Sequence, residues 1–166
     1  FLSTNNFSGL VPATFTALKG LISLNLGNNR FTGTIPRELT RLVELMIINL
    51  SGNDFRGAIP SALFQLPTLS SLVVANTSIS FPKTLIASTS LNYLNLEGNG
   101  FTGALPDFSR WNVSVLNLDL SRNNFTGPIP DSLSTLTTLE AIILNNNQLT
   151  GTIPSAMFTM TNLKSL

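Results

Sequence analysis

A unit of 24 residues recurs along this chain in seven copies, and that recurrence limits the possible folds more than any other feature. The copy from Leu21 to Pro36 reads LISLNLGNNRFTGTIP. An asparagine returns at Asn5, Asn29, Asn53, Asn99, Asn123 and Asn147. A glycine returns at Gly9, Gly33, Gly57, Gly103, Gly127 and Gly151, and a proline at Pro12, Pro36, Pro60, Pro82, Pro106, Pro130 and Pro154. The step is 24 residues except between Pro60 and Pro82, where it is 22. One copy is too short to enclose a hydrophobic core. Stacked copies can, because each buries its apolar side against its neighbours.

Within a copy, Leu24-Asn25-Leu26 alternates with the period of a strand that has one buried face. Asn29 ends the strand, and Gly33 with Pro36 turns the chain away from it. After Pro36 and Pro60, apolar residues fall at the third, sixth and ninth positions: Leu39, Leu42, Leu45, then Leu63, Leu66, Leu69. That spacing suits a short 3₁₀ or helical turn leading into the next strand. The recurring asparagine carries donors and an acceptor on one side chain, so it is expected to form an internal ladder serving otherwise unpaired turn groups. Phe7, Phe31, Phe55, Phe101 and Phe125 each precede the glycine by two residues and are expected to form a second apolar stack.

These residues carry a resemblance to a known family. The copy from Leu45 to Leu69, LMIINLSGNDFRGAIPSALFQLPTL, follows the pattern LxxLxxLxLxxNxLxGxIPxxLxxLxx nearly throughout. The chain resembles plant-type extracellular leucine-rich-repeat proteins: ectodomains of receptor-like kinases and receptor-like proteins, and polygalacturonase-inhibitor-like repeats. The resemblance covers essentially all 166 residues. It implies an α/β repeat solenoid: a right-handed superhelix with a parallel β-sheet on its concave face and short 3₁₀ turns on its convex face. It implies one domain over residues 1–166, located outside the cell, that recognises a protein or peptide ligand. Family members usually carry cysteine-bearing caps, which this sequence lacks, so both ends are expected to expose apolar residues.

Two copies depart from the pattern. The fourth, SSLVVANTSISFPKTL, has Thr77 in place of the asparagine and Phe81 in place of the glycine. A kink or a shortened outer strand is expected between about Ile79 and Pro82. The fifth reads DFSRWNVSV after Pro106, with Phe108 and Trp111 replacing the leucine spacing, and its back segment is expected to be non-helical.

Charged residues make up 10% of the chain and the net charge is +1, so no basic surface steers nucleic acid or anionic lipid. No apolar run approaches the ~18 residues of a membrane span. Phe1 falls inside a repeat with no signal peptide before it, so the chain reads as an interior piece of a longer protein. There is no cysteine and no histidine, which removes disulfides and the commonest catalytic bases, nucleophiles and metal ligands. No cofactor, metal or enzymatic activity is expected.

Strand residues between the leucines point onto the concave face. One column there holds Ser23, Ile47, Ser71, Tyr93, Asn117 and Ala141. The next holds Asn25, Asn49, Val73, Asn95, Asp119 and Ile143. Most of these are small and neutral. Tyr93, Asn95, Glu97, Asn117, Asp119 and Arg122 form the chemically rich cluster, on two strands about 5 Å apart, and include hot-spot residue types. They are the candidate ligand-binding residues. The bland alternative is a solvated face on which Glu97 and Arg122 pair locally with little gain. The asparagines of the second column also admit an ice-binding array, which Val73, Asp119 and Ile143 interrupt. N-x-S/T sequons at Asn6, Asn49, Asn76, Asn112 and Asn124 are candidate N-glycosylation sites, though their number is what composition alone produces. The leading expectation is a recognition segment of an extracellular receptor. The alternatives are a repeat unit that associates end to end, since the phase of Leu166 runs into that of Phe1, and an inhibitor of a secreted hydrolase.

Overall fold

The computed structural model describes residues 1–81, 90–111 and 114–166. Each copy forms one coil of a solenoid. The inner strands Ser23–Asn25, Ile47–Asn49, Ser71–Val73, Tyr93–Asn95, Asn117–Asp119 and Ala141–Ile143 make one six-stranded parallel sheet in chain order. Its register aligns Leu24, Ile48, Leu72, Leu94, Leu118 and Ile142 in a single buried row. Leu26, Leu50, Val74, Leu96 and Leu120 follow each strand into the core and are fully buried. Burial of each such side chain contributes about 1.5–3 kcal/mol, and a coil alone could supply only one wall for it.

The chain then crosses to a second layer of short parallel strands. Ser8–Leu10, Arg30–Thr34, Asp54–Ala58 and Ser78–Ser80 form a four-stranded sheet; Thr102–Ala104, Asn124–Pro128 and Gln148–Thr150 form a three-stranded one. Registry here is offset, so that the glycine of one coil lies beside the phenylalanine position of the next: Gly9 beside Phe31, Gly33 beside Phe55, Gly103 beside Phe125. These glycines hold φ between +74° and +84° in all six regular copies, a conformation that side chains rarely adopt. Phe81 occupies that position in the fourth copy. The strand here is Ser78–Ser80, three residues like Ser8–Leu10, Thr102–Ala104 and Gln148–Thr150, and among the described residues nothing pairs it with Thr102–Ala104. The departure expected between Ile79 and Pro82 thus shows as a break in pairing rather than as a strand shorter than the others, and Pro82 lies outside the described residues.

Phe7, Phe31 and Phe55 stack with ring centroids 6.3 and 6.4 Å apart. Ile79 then interrupts the expected column. The Phe81 ring fills in, packing against Phe101, Phe125 and Trp111.

Convex 3₁₀ turns follow the prolines at Ala13–Ala17, Arg37–Arg41, Ser61–Gln65, Asp131–Thr135 and Ser155–Thr159. The back segment of the fifth copy, expected to be non-helical, instead contains one short 3₁₀ turn, Phe108–Arg110. Asp107 caps it by accepting the Ser109 N–H and hydroxyl at 3.0 and 2.7 Å. The Ser109 hydroxyl, then its N–H, holds the Asp107 carboxyl below the usual range. Phe108 and Trp111 fill the leucine sites edge to face, 4.8 Å apart. Trp111 Nε1 is buried and has no hydrogen-bond partner among the described residues. Phe1 and Leu10 near one end of the stack, and Phe158 and Leu166 near the other, are exposed.

Candidate functional site

The asparagine ladder accounts for the turn between the two layers. Asn123 Nδ2 donates to the carbonyls of Leu96, Leu120 and Ser121 at 3.0–3.1 Å. Its Oδ1 accepts the N–H groups of Asn99 and Phe101. Asn29, Asn53, Asn99 and Asn147 make equivalent bonds within their own coil and to the coil before. Where Thr77 replaces the asparagine, its own N–H and hydroxyl donate to Asn99 Oδ1. This ladder belongs to the fold and offers nothing to a ligand.

A second set of bonds closes the ends of the inner strands. Asn25, Asn49, Asn95 and Asp119 each turn Oδ1 back to accept the N–H two residues on, at 3.1, 3.0, 2.9 and 2.9 Å. Val73 breaks this column, and the N–H of Ala75 donates to Ser51 Oγ of the preceding coil instead. The concave asparagines are thus local caps with their oxygens already engaged.

The six candidate residues do gather in one place. Tyr93 lies in register with Asn117, and Asn95 with Asp119, on adjacent strands. Glu97 and Arg122 sit just beyond the strand ends and pair through Arg122 Nε and Glu97 Oε1 at 3.3 Å. The six are unequally available. Tyr93 is 38% exposed, whereas Asn95 and Asp119 are only 9% and 8% exposed. Asn95 Nδ2 makes one long contact, 3.4 Å, to the Tyr93 hydroxyl.

Arg122 occupies a special backbone position. Thr4, Asn28, Gly52, Asn76, Gly98, Arg122 and Asn146 share one place in their coils, and all have positive φ; that of Arg122 is +53°. Glycine and asparagine tolerate this conformation best. Arginine at this turn presents a charge at a cost in backbone energy.

Sequence reasoning placed Ile47 in an inner-strand column but passed over the apolar residues that precede the strands beside it, Ile22 and Met46. Ile22, Met46 and Ile47 are 55%, 45% and 43% exposed at the second and third coils. Ile22 and Met46 stand immediately before their strands, where later coils carry Ser70, Asn92, Leu116, Glu140 and Lys164. Two successive apolar residues in a column that is mostly polar afterwards were the available signal.

Among the sequons, Asn6, Asn76 and Asn124 are exposed, and Asn49 is half-buried in the capping column. Asn112 lies outside the described residues. Among the described residues, no helix is long and apolar enough to cross a membrane.

Leucine-rich-repeat family models match residues 1–55 and, as single repeats, 90–110, 114–136 and 138–160. A comparison with curated proteins gives no match. Among solved structures, the chain resembles the ectodomain of the receptor kinase GASSHO1/SCHENGEN3 from Arabidopsis thaliana, solved in complex with CASPARIAN STRIP INTEGRITY FACTOR 2. Identity is 33% over 98% of this chain and 20% of that one, with a TM-score of 0.84. It also resembles a plant ice-binding protein, at 26% identity over 92% of this chain and 50% of that one, TM-score 0.81. The Arabidopsis receptor kinase HAESA, in complex with the peptide hormone IDA and the co-receptor SERK1, is 30% identical over 97% of this chain and 31% of that one, TM-score 0.75. The chain therefore spans between a fifth and a half of the length of these three proteins.

Proposed function

This chain belongs to the leucine-rich-repeat family, of the plant receptor-ectodomain type, and on that premise we propose that its inner sheet is a recognition face for an extended peptide or protein segment outside the cell. The observation that carries this reading is the pairing of Tyr93 with Asn117 in register on neighbouring strands of a continuous, preformed sheet. Side chains there are positioned before a ligand arrives, so binding does not have to order them. A segment laid across the strands would meet the apolar Ile22, Met46 and Ile47 at one end, and Tyr93, Asn117 and Arg122 toward the other. HAESA was solved with a peptide hormone and GASSHO1/SCHENGEN3 with CASPARIAN STRIP INTEGRITY FACTOR 2, which supports the same reading.

Likeness to an ice-binding protein motivates a second reading. The geometry does not favour it, because the concave asparagine oxygens are bonded to their own backbone rather than presented as a regular free array.

The test is amide hydrogen exchange on the full chain with a panel of secreted peptides. Protection is expected on Tyr93–Asn95 and Asn117–Asp119. A double variant, Tyr93→Ala with Asn117→Ala, is expected to weaken binding about tenfold or more without lowering the melting temperature. Protection confined to the 3₁₀ side, or undiminished affinity in the double variant, overturns the assignment.

A further inference from the structure

We infer that the inner face between the fifth and sixth coils receives a positively charged group of the ligand, a lysine or arginine side chain, at the Asp119 carboxylate. This names the ligand chemistry of the recognition face proposed above and rests on that reading.

The column that holds Asp119 separates what the fold requires from what it does not. Asn25, Asn49 and Asn95 stand at the same place in their own coils, and an amide oxygen from each accepts the N–H two residues on. Asp119 makes the same bond to the Ser121 N–H at 2.9 Å and takes the Ser121 hydroxyl on the same oxygen at 2.6 Å. Three other coils close their strands without a negative charge. The charge at position 119 is therefore surplus to the cap.

It is also uncompensated. Asp119 is 8% exposed, with its unbonded Oδ2 still open to solvent, and a carboxylate so held against the sheet is stabilised by a cation or by further donors. Among the described residues it has no ion-pair partner. Arg122, on the adjoining turn, is engaged with Glu97, and Lys164 with Glu140. Oδ2 of Asp119 accepts no hydrogen bond from any described residue; the capping bonds both fall on Oδ1.

Tyr93 completes the site. It lies on the neighbouring strand, in register with Asn117 and two residues before Asn95, and Asn95 is the residue beside Asp119. Its exposed ring offers a π face to the same cation. An anionic ligand would instead meet the carboxylates of Glu97 and Asp119, with the one nearby arginine already paired. Charge complementarity thus selects a basic side chain.

The test is selection of a random peptide library, displayed on phage, against the full chain and its variants, with retained peptides sequenced. Wild type is expected to enrich peptides carrying lysine or arginine. Asp119→Asn keeps the capping oxygen, as Asn95 does one coil earlier, and is expected to reduce that enrichment about tenfold with no change in melting temperature. Asn95→Asp combined with Asp119→Asn moves the charge by one coil and is expected to restore it. Asp131→Asn, on the convex side, controls for net charge and is expected to change nothing. Enrichment of neutral or acidic peptides that still protect the inner strands overturns the cation inference while leaving the recognition reading intact. Basic enrichment that survives in Asp119→Asn, or that falls equally in Asp131→Asn, overturns the inference as well. Failure of every peptide to bind the inner sheet overturns both.

Discussion

Phe81 meets Phe101 edge to face, with ring centroids 5.0 Å apart, at the point where the second strand layer divides. In six other coils the equivalent residue is a glycine at positive φ, and in five of them the strand continues past it. A phenylalanine cannot follow that path cheaply, and its ring goes into the core, where it also touches Phe125 and Trp111. In the outer layer the aromatic contact stands where strand pairing would otherwise join the fourth coil to the fifth, while the inner strands Ser71–Val73 and Tyr93–Asn95 remain paired. Phe81→Ala is expected to cost about 2 kcal/mol, a value reduced from that of a fully enclosed ring because Phe81 is half-buried. Phe81→Gly is expected to cost at least as much, since the two residues missing from that copy leave the strands out of step. Urea unfolding measures both; a Phe81→Gly chain more stable than wild type would show that backbone conformation, not ring packing, governs the junction.

Asn123 serves two backbone donors and three backbone acceptors in one turn. Removing its side chain orphans buried groups, each of which costs roughly 1–3 kcal/mol. Asn123→Ala is expected to destabilise the chain by about 3 kcal/mol or more, and Asn123→Leu by no less despite its greater hydrophobicity. Asn5, which is exposed and bonds only to carbonyls of its own turn, is expected to tolerate Asn5→Ala with a loss below about 1 kcal/mol. The contrast between the two positions, read from chemical denaturation, checks whether the ladder acts through burial.

The repeat period, both ladders and the alignment of the inner strands were legible in the sequence because one residue type meets one local demand at each position. The rest depended on contacts between coils. The absence of glycine at Phe81 announced a kink or a shortened strand; the structure shows a break in outer-strand pairing, and nothing local said that the ring would reach as far as Phe125. The short turn at Phe108–Arg110 was missed because the leucine spacing was absent, although Asp107 and Ser109 had the chemistry of a cap. In the candidate site, the columns located Asn95 and Asp119 correctly and overstated their exposure, since their bonds to Glu97 and Ser121 fold them against the sheet. Ile22 and Met46 were passed over because strand alternation directs such positions inward. Each stands one residue before its strand with its carbonyl already bonded to the next coil, and both side chains are exposed.

Trp111 keeps its indole N–H buried without a partner among the described residues. An unpaired buried donor costs about 1–3 kcal/mol, while the ring supplies packing against Phe81 and Phe108. Trp111→Phe retains most of the ring and drops the donor, so it is expected to be neutral or to stabilise. Trp111→Ala removes both and is expected to cost about 3–5 kcal/mol. Thermal unfolding of the two variants separates the polar from the packing contribution.

Asn6, Asn76 and Asn124 sit exposed in N-x-S/T sequons, on turns or outer strands away from the capping column. A glycan on Asn6 or Asn124 is expected to leave the inner sheet open, whereas one on Asn76, at the coil position that Arg122 holds, is expected to crowd the concave face at the fourth coil. Expression through a eukaryotic secretory pathway, followed by mass spectrometry before and after enzymatic deglycosylation, is expected to show occupancy at these three sites. Asn6→Gln and Asn124→Gln are expected to lower the mass in steps while leaving ligand binding unchanged; loss of binding would place the contact surface on the flank rather than on the inner strands.

Arg122 holds φ at +53° in a turn where glycine or asparagine serves five of the seven coils. The left-handed conformation costs a side chain about 1–2 kcal/mol, and asparagine bears less of that cost than arginine. Against this stands the ion pair with Glu97, whose partners are 65% and 24% exposed; such a pair is worth about 0–1 kcal/mol after solvent screening. The backbone cost is the larger of the two. Arg122→Asn is therefore expected to raise stability by about 0.5 kcal/mol, and Arg122→Gly to change it little, because glycine also adds flexibility to the unfolded chain. If Arg122 contacts the ligand, Arg122→Asn weakens binding while it strengthens the fold, a combination that a purely structural residue does not produce. Paired urea and affinity measurements on that one variant decide the matter: a loss of stability shows that the Glu97 pair outweighs the strain, and unchanged affinity removes Arg122 from the recognition face.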